Sequence, residues 1–347
     1  MTPIRIAIAG VGAIGQAHLA VVQKSPFVTL SALVDPSPEA AQIAHKAGVP
    51  LYNTLDNLLA QDRPDGVVLA TPNPLHVPQA LQCVAVGLPI LLEKPLATSV
   101  AEGEKLVRAA EQQGAKILVG HHRAHSPLMA KACEVVRSGQ LGQLVSVVGS
   151  ALFFKPDRYF DDHPWRKEKG AGPLLVNLIH EIHNLRMLCG EITAVQAFSS
   201  NAIRGFAVED TVSIALRFAN GALGTFMLSD TAACARSWEQ TSQENPAYTS
   251  YSDEDCYVIS GTQGSLSVPT MRLKTYPRRE DRSWWNAFSE TVVEVVRDDP
   301  LQHQMAHFAA VVRGETQPLV SARDGLQNLR VTEAIAQAAA SGSTVHL

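Results

Sequence analysis

The stretch IRIAIAGVGAIG, residues 4–15, joins an apolar run to three glycines spaced G-x-G-x-x-G. Helix-forming residues follow from Gln16, so the stretch predicts a strand, a tight turn and a helix. One glycine of such a turn permits the bend, one lets a pyrophosphate approach the backbone, and one allows the helix to pack on the strand. The helix's free N–H groups and positive end favour phosphate. The sequence therefore predicts a dinucleotide site.

An acidic residue, Asp35, lies 20 positions beyond Gly15 and ends the apolar run 28–34. A carboxylate there can accept hydrogen bonds from an adenosine ribose. Because Pro36 follows it rather than a basic residue, we predict NAD, with NADP less favoured. The residues that this motif assigns to the cofactor are Gly10, Gly12, Ala13, Ile14, Gly15 and Asp35.

Composition limits the class of protein. A chain of 347 residues predicts about two domains, and 46% hydrophobic with 18% charged residues argues against disorder. The net charge of −4 provides no basic surface for nucleic acid or an anionic membrane. The sequence has no apolar stretch of bilayer length and no leader pattern, so we expect a cytoplasmic protein. Five scattered cysteines without C-x-x-C spacing favour neither disulfides nor zinc, and we predict no metal.

The order of strand-like and helix-like patterns along the sequence predicts two architectures. Up to residue 120, apolar runs (4–9, 28–34, 66–70, 89–92, 116–119) alternate with helical patterns (15–24, 38–47, 54–60, 76–86, 98–113), which indicates a doubly wound parallel sheet. Successive strand patterns follow (144–154, 194–200, 210–218, 222–229, 256–260, 265–268), with one obvious helix at 173–188, and indicate a mostly antiparallel sheet. We predict an α/β protein with domains at 1–122 and 123–347, and expect the helical segments 301–313 and 323–341 to pack on the first domain.

Polar motifs follow three of the predicted parallel strands: TPNPLH at 71–76, EKP at 93–95 and GHHR at 120–123. Carboxyl ends of parallel strands meet at the ligand-binding edge of such a sheet. A fourth motif, GAGPLLVNLIHEIHN at 170–184, has Pro173 as a helix start. Its periodicity places Asn177, His180, Glu181 and Asn184 on a face that we expect to be solvated.

The glycine turn at 10–15 and the motifs at 71–76, 93–95 and 170–184 together resemble the Gfo/Idh/MocA oxidoreductases over essentially the whole chain. The resemblance implies a Rossmann domain followed by an α/β domain with an open-faced sheet, through which family members form homodimers or homotetramers. It also implies oxidation of a secondary alcohol by a nicotinamide cofactor. In this resemblance Lys94 and His180 are the catalytic residues, and the further cofactor residues are Thr71, Asn73, His76, Glu93, Lys94 and His122.

The two catalytic assignments also make chemical sense. Removal of hydride from a carbinol carbon requires loss of the hydroxyl proton, and an imidazole near neutral pKa can accept it. A fixed ammonium stabilises the developing negative charge on oxygen. For substrate binding we predict Lys94, Arg123, Trp165, Arg166, Asn177 and His180; a guanidinium such as Arg166 suits a carboxylate or a hydroxyl pair, although its segment also fits a charged surface loop.

The fourth motif departs from the family pattern at three positions. The family's two aspartates fall on Val176 and His183, and its second glycine falls on Ala171. Asn177 is one turn from His180 and can hydrogen-bond, but it carries no charge. A changed proton relay, an unusual substrate and loss of activity all fit these departures.

The sequence thus predicts a dehydrogenase that acts on a secondary hydroxyl of a sugar, cyclitol, sugar acid or cyclic cis-diol. Two alternatives stay open: a non-catalytic dinucleotide sensor, and an enzyme that acts on an imine or a dihydrodiol-type substrate. The histidines at 121, 122 and 125 invite a metal site, but H-E-I-H at 180–183 has i, i+3 spacing rather than the i, i+4 spacing of a zinc helix.

Overall fold

The computed structural model describes residues 2–168 and 170–347. The chain divides into two compact units. The first unit runs to His125 and takes in Pro300–Leu329, and the second comprises Ser126–Asp299 and Arg330–Leu347. The segment 301–313 therefore belongs to the first unit, whereas the last helix passes from one unit to the other at Leu329.

The first unit contains a six-stranded parallel sheet of order β3-β2-β1-β4-β5-β6. Its strands are β1 (Ile4–Ala9), β2 (Val28–Val34), β3 (Leu51–Tyr52), β4 (Gly66–Leu69), β5 (Ile90–Leu92) and β6 (Ile117–Val119). Its helices are α1 (Ala13–Lys24), α2 (Pro38–Ala47), α3 (Leu55–Gln61), α4 (His76–Ala85), α5 (Val100–Gln113) and, later in the chain, α10 (Pro300–Arg313). The predicted doubly wound sheet is confirmed, with β3 as an added strand that the pattern did not reveal.

Strands of this sheet read as unbroken apolar runs because helices cover both faces. Ile6, Ile8, Val67 and Leu91 have no exposed surface. The strand order reverses direction between β1 and β4, and such a reversal opens a crevice at the carboxyl edge of the sheet. The glycine turn after β1 and the motif at 71–76 after β4 flank that crevice.

The second unit contains a nine-stranded sheet of order β14-β13-β12-β11-β7-β10-β9-β8-β15. Its strands are β7 (Leu144–Leu152), β8 (Ile192–Ser200), β9 (Thr211–Phe218), β10 (Leu223–Ser229), β11 (Tyr257–Gly261), β12 (Gly264–Val268), β13 (Arg272–Thr275), β14 (Ser289–Val292) and β15 (Val345–His346). Among the strand pairs that residues 2–168 and 170–347 form in this sheet, β7 with β10 is parallel and the others are antiparallel. The prediction of a large, mostly antiparallel sheet is confirmed.

One face of this sheet is covered and the other is open. Burial alternates along β9 and β10, as expected when one face packs on a core. The helices are α6 (Pro127–Arg137), α7 (Asp157–Asp161), α8 (Ile179–Cys189), α9 (Trp238–Thr241) and α11 (Ala322–Ser341), which begins in the first unit. No helix in the described part of the chain is long and apolar enough to cross a membrane.

Candidate functional site

The three glycines after β1 have three different environments. Gly10 has φ +87°, and a Cβ on it would lie 2.5 Å from the carbonyl oxygen of Ala70. A Cβ on Gly15 would overlap the Gly10 carbonyl, so this glycine brings α1 against the strand. Gly12, the N-cap of α1, would place a Cβ in open space. Two glycines are thus required by the fold, and the third leaves room where a pyrophosphate approaches the backbone.

Asp35 supports the same turn from the end of β2. Its carboxylate accepts hydrogen bonds from the N–H of Val11 at 2.9 Å and from the N–H of Ser37 at 2.8 Å. Burial opposes ionisation of Asp35, but the hydrogen bonds from Ser37 and Val11 outweigh it and lower the pKa of the carboxyl. Asp35 is therefore an anion at the position where the motif predicts a ribose contact.

The motif after β4 is held by His76, which has 1% of its surface exposed. Its Nδ1 lies 2.7 Å from the carbonyl oxygen of Pro95 and its Nε2 lies 2.9 Å from that of Thr71. Because both ring nitrogens face backbone carbonyls, His76 connects two turns rather than offering a free nitrogen to a ligand. Asn73 is exposed at the start of the short turn before α4, and the Thr71 hydroxyl donates to Gln79.

The EKP turn after β5 is built on a buried carboxylate. Glu93 is 5% exposed, and its Oε1 lies 2.8 Å from Nε2 of the fully buried His18 on α1. Its Oε2 accepts from the N–H of Lys94 at 3.2 Å, and a Cβ on Gly120 would lie 2.8 Å from the carboxyl carbon. Burial raises the pKa of Glu93, yet the His18 contact outweighs it and holds that pKa below its usual value. The side chain of the half-buried Lys94 therefore extends from a turn whose backbone is held in place by Glu93.

The motif after β6 lies partly in the interior of the first unit. Arg123, predicted to bind substrate, is 2% exposed, and His122 is half-buried. Asn328 Nδ2 lies 3.1 Å from Nε2 of the buried His121. Within 2–168 and 170–347, no group of three or more His, Cys, Asp or Glu side chains could hold a metal.

A cavity of about 680 Å³ in the first unit lies elsewhere. It is lined by residues at the amino ends of the strands, among them Ile4, Pro89 and Lys116. The glycine turn is at the carboxyl end of β1. Ligands of open α/β sheets bind at the carboxyl edge, where the glycine turn lies, rather than at the amino ends of the strands that line this cavity.

The motif at 170–184 forms a π-helical turn (Leu174–Leu178) that continues into α8. Such turns are rare and concentrate at functional sites. His180 is 7% exposed and His183 is 5% exposed. The expectation of a solvated polar face was wrong, because Glu181 and Asn184 are at most 1% exposed and meet Tyr257 of β11. The Tyr257 hydroxyl donates to Glu181 and accepts from Asn184 Nδ2 at 3.0 Å.

Asn177 has a partner that sequence analysis missed. Its Oδ1 accepts from Lys155 Nζ at 2.9 Å, and the same nitrogen lies 3.4 Å from Asp230 Oδ2. Burial lowers the pKa of Lys155, and Asp230 opposes that shift. Lys155 follows β7 in the stretch FFK, residues 153–155, which belongs to none of the four motifs. Its proximity to Asn177 arises from the fold.

Arg166 and Trp165 lie in a short 3-10 turn upstream of the π-helical turn. The Arg166 guanidinium stacks 3.8 Å from the centre of the Tyr159 ring and donates to the Tyr159 carbonyl at 2.7 Å. Trp165 is 59% exposed. Arg166 is therefore held in one orientation by an aromatic ring and a carbonyl, which suits a cation that binds a ligand.

Both parts of the chain match models of one protein family. Residues 4–121 match the model described as an oxidoreductase family with an NAD-binding Rossmann fold. Residues 129–267 match the model of the GFO/IDH/MocA C-terminal domain. The two matches together cover most of the chain. The first ends and the second begins close to His125, where the first unit gives way to the second along the chain.

Individual relatives include dehydrogenases of polyhydroxylated compounds. The chain is 26% identical to an inositol 2-dehydrogenase of Rubrobacter xylanophilus, over 98% of this chain and 92% of that protein. It is 29% identical to the rhizopine catabolism protein MocA of Rhizobium meliloti, but over only 55% of this chain and 59% of that protein. The fold is similar, with a TM-score of 0.79 and 24% identity over 100% and 99% of the two chains, to the WlbA dehydrogenase of Bordetella pertussis, solved with NADH and UDP-GlcNAcA.

Proposed function

On the premise that the chain belongs to the Gfo/Idh/MocA family of NAD(P)-dependent oxidoreductases, we propose that it oxidises a secondary hydroxyl of a small polyhydroxylated compound with NAD. Sugars, cyclitols, sugar acids and cyclic cis-diols are the substrate classes. The observation that carries the proposal is the open space at Gly12 beside the tightly packed Gly10 and Gly15. A turn with these three environments fits a pyrophosphate.

The proposed roles follow from the chemistry of each residue. When bound, NAD supplies the hydride acceptor at its nicotinamide ring. The Lys94 ammonium stabilises negative charge on the substrate oxygen, and its turn is fixed because Glu93 is buried and paired. His180 accepts the hydroxyl proton. Asp35 receives the ribose hydroxyls, and its charge repels the additional phosphate of NADP, which favours NAD.

Further features support the proposed setting of the enzyme. The open face of the second sheet carries apolar side chains, with Phe198 72%, Val148 56% and Leu223 56% exposed. Burial of such a face stabilises a homodimer or homotetramer. The five cysteines are free thiols, which is consistent with the reducing cytoplasm.

The direct test is turnover by the purified protein. Absorbance of NADH and NADPH is followed with a panel of sugars, polyols, sugar acids and cis-diols. We expect NAD-dependent oxidation of at least one compound and a loss in kcat of about 100-fold or more in Lys94→Met and in His180→Asn. Lys46→Met, on the exposed side of α2, is the matched control and should keep full activity. Full activity of either site variant would contradict its proposed role.

A second candidate function is a dinucleotide sensor. Val176 stands where the family has an aspartate, so the helix that carries His180 lacks one ionisable group. Tight NADH binding measured by fluorescence, without turnover of any compound on the panel, would favour the sensor. Turnover of imines or dihydrodiols alone would instead assign the second enzymatic alternative.

A further inference from the structure

The amide of Asn177 can be assigned an orientation. An ammonium has three donors and no acceptor, so the Asn177 atom that lies 2.9 Å from Lys155 Nζ must be the carbonyl oxygen. The NH2 group then points away from Lys155. Among the residues that the structure describes, Asn177 makes no other side-chain hydrogen bond, and it is only partly buried. Its two N–H donors are therefore available to a ligand.

Lys155 is well placed to keep this orientation. It is 12% exposed and lies 4.9 Å from the centre of the Tyr159 ring, so it has little freedom to move. Asp230 balances its charge at 3.4 Å and also accepts from Arg204 Nε at 3.0 Å. The carboxylate of Asp230 is thus shared by two cations. Because Arg204 remains as its partner, loss of the Lys155 charge does not leave Asp230 unpaired.

Three further carboxylates of this unit have partners of their own. Asp210 Oδ2 accepts from the backbone N–H groups of Ile203 and Arg204. Glu209 accepts from the N–H of Leu174, and burial raises the pKa of its carboxyl. Asp157, which is 87% exposed, lies 3.6 Å from Arg204. None of these carboxylates contacts Asn177, so its free side is a donor surface.

A donor at this position selects for a different substrate group than an acceptor does. An ionised aspartate, which the family pattern has at the position of Val176, offers only acceptors, whereas the amide of Asn177 offers donors. Asn177, in the π-helical turn, precedes His180 of α8 by three residues, so a single small substrate molecule can contact both side chains. Two N–H donors beside a buried ammonium favour an anionic acceptor.

We propose that Lys155 holds the Asn177 amide with its NH2 group toward the substrate, and that the preferred substrate is therefore a polyhydroxylated acid whose carboxylate accepts from Asn177. Lys155 is a positioning residue in this arrangement, and Asn177 is the residue that contacts substrate. This inference rests on the proposed function and narrows its substrate class.

The experiment compares sugar acids with the matched neutral sugars and polyols, using wild type, Asn177→Asp and Lys155→Met with NAD. We expect wild type to have a kcat/KM at least tenfold higher for the acids. Asn177→Asp, which replaces the donors with acceptors, should raise KM for acids about 10- to 100-fold and change KM for neutral compounds by less than about threefold. Lys155→Met should raise KM for acids by a smaller factor and leave kcat nearly unchanged.

Arg158→Met is the matched control. Arg158 is a cation three residues after Lys155, and its side chain is 87% exposed. Its KM values should equal those of wild type, and thermal melting and NADH binding verify that every variant is folded. A wild type that oxidises neutral compounds as well as the acids, or an unchanged acid-to-neutral ratio in Asn177→Asp, overturns the inference while leaving the proposed function standing. Failure of wild type to oxidise either class with NAD or NADP overturns both.

Discussion

The Glu93 turn and the Asn177 turn differ in how completely their polar side chains are hydrogen-bonded. Both oxygens of Glu93 are engaged, by His18 and by the Lys94 N–H, inside a unit where the carboxylate is 5% exposed. Asn177 has one end fixed by Lys155 and the other end open. Full pairing of Glu93 fixes the conformation of its turn, which suits a cofactor that is always the same. The unpaired NH2 group of Asn177 is available to hydrogen-bond a substrate, which varies between family members. The departures from the family pattern lie in the second unit.

The largest effect is expected from breaking the full pairing of Glu93. His18→Leu removes the side-chain partner of Glu93 Oε1 and leaves the buried carboxylate with only the Lys94 N–H at its Oε2. We expect the free energy of unfolding to fall by about 3–5 kcal/mol. Urea denaturation measures this loss, with His45→Leu on the exposed side of α2 as the control. A loss below about 1 kcal/mol would show that Glu93 finds another partner.

A second test separates the glycine that the ligand needs from those that the fold needs. Gly12→Ala places a methyl group in open space, so we expect the free energy of unfolding to change by less than about 1 kcal/mol. The dissociation constant of NADH should rise by about 10- to 100-fold, because the methyl group blocks approach of the pyrophosphate. Fluorescence titration measures it. Unchanged NADH affinity would place the pyrophosphate elsewhere.

A third test concerns the second unit. Arg166→Gln removes a cation held against Tyr159, and we expect KM for the substrate to rise about tenfold. KM for NAD should stay within about twofold of wild type. Steady-state kinetics with each reactant varied in turn measures both values. An unchanged substrate KM would assign Arg166 a purely structural role.

The smallest effect is the pH dependence of the His18→Leu deficit. In wild type the pKa of Glu93 is below its ordinary value of 4.5, so its stabilising contribution is complete above that pH and is lost as pH falls through the lowered value. Loss of His18 removes the largest influence that lowers this pKa, so the pKa of Glu93 is higher in the variant than in wild type. The stability difference between wild type and variant should therefore shrink as pH falls below about 4.5. A constant difference down to pH 3 would contradict the assigned pairing.

Sequence reasoning succeeded where the signal is contiguous. The strand, glycine turn and helix at 4–24 are encoded within two dozen residues, and the alternation of elements predicts the parallel sheet. It failed where chemistry depends on distant residues: His18 and Glu93 are 75 positions apart, and Lys155 and Asn177 are 22 apart. Asn184 and Glu181 were expected to face solvent because helical periodicity alone cannot show that Tyr257 supplies a buried polar partner. Two-residue β3 and the π-helical turn carry no periodic signal of their own.

The imidazole of His76 has a consequence for the two turns that it joins. A neutral ring has a single N–H, and burial lowers the pKa of His76, so the ring can donate to the carbonyl of Thr71 or to that of Pro95 but not to both. The tautomer therefore decides which loop is tethered. Movement of the proton from Nδ1 to Nε2 would break the hydrogen bond to the Pro95 carbonyl, next to Lys94, and form one to the Thr71 carbonyl, in the loop that bears Asn73.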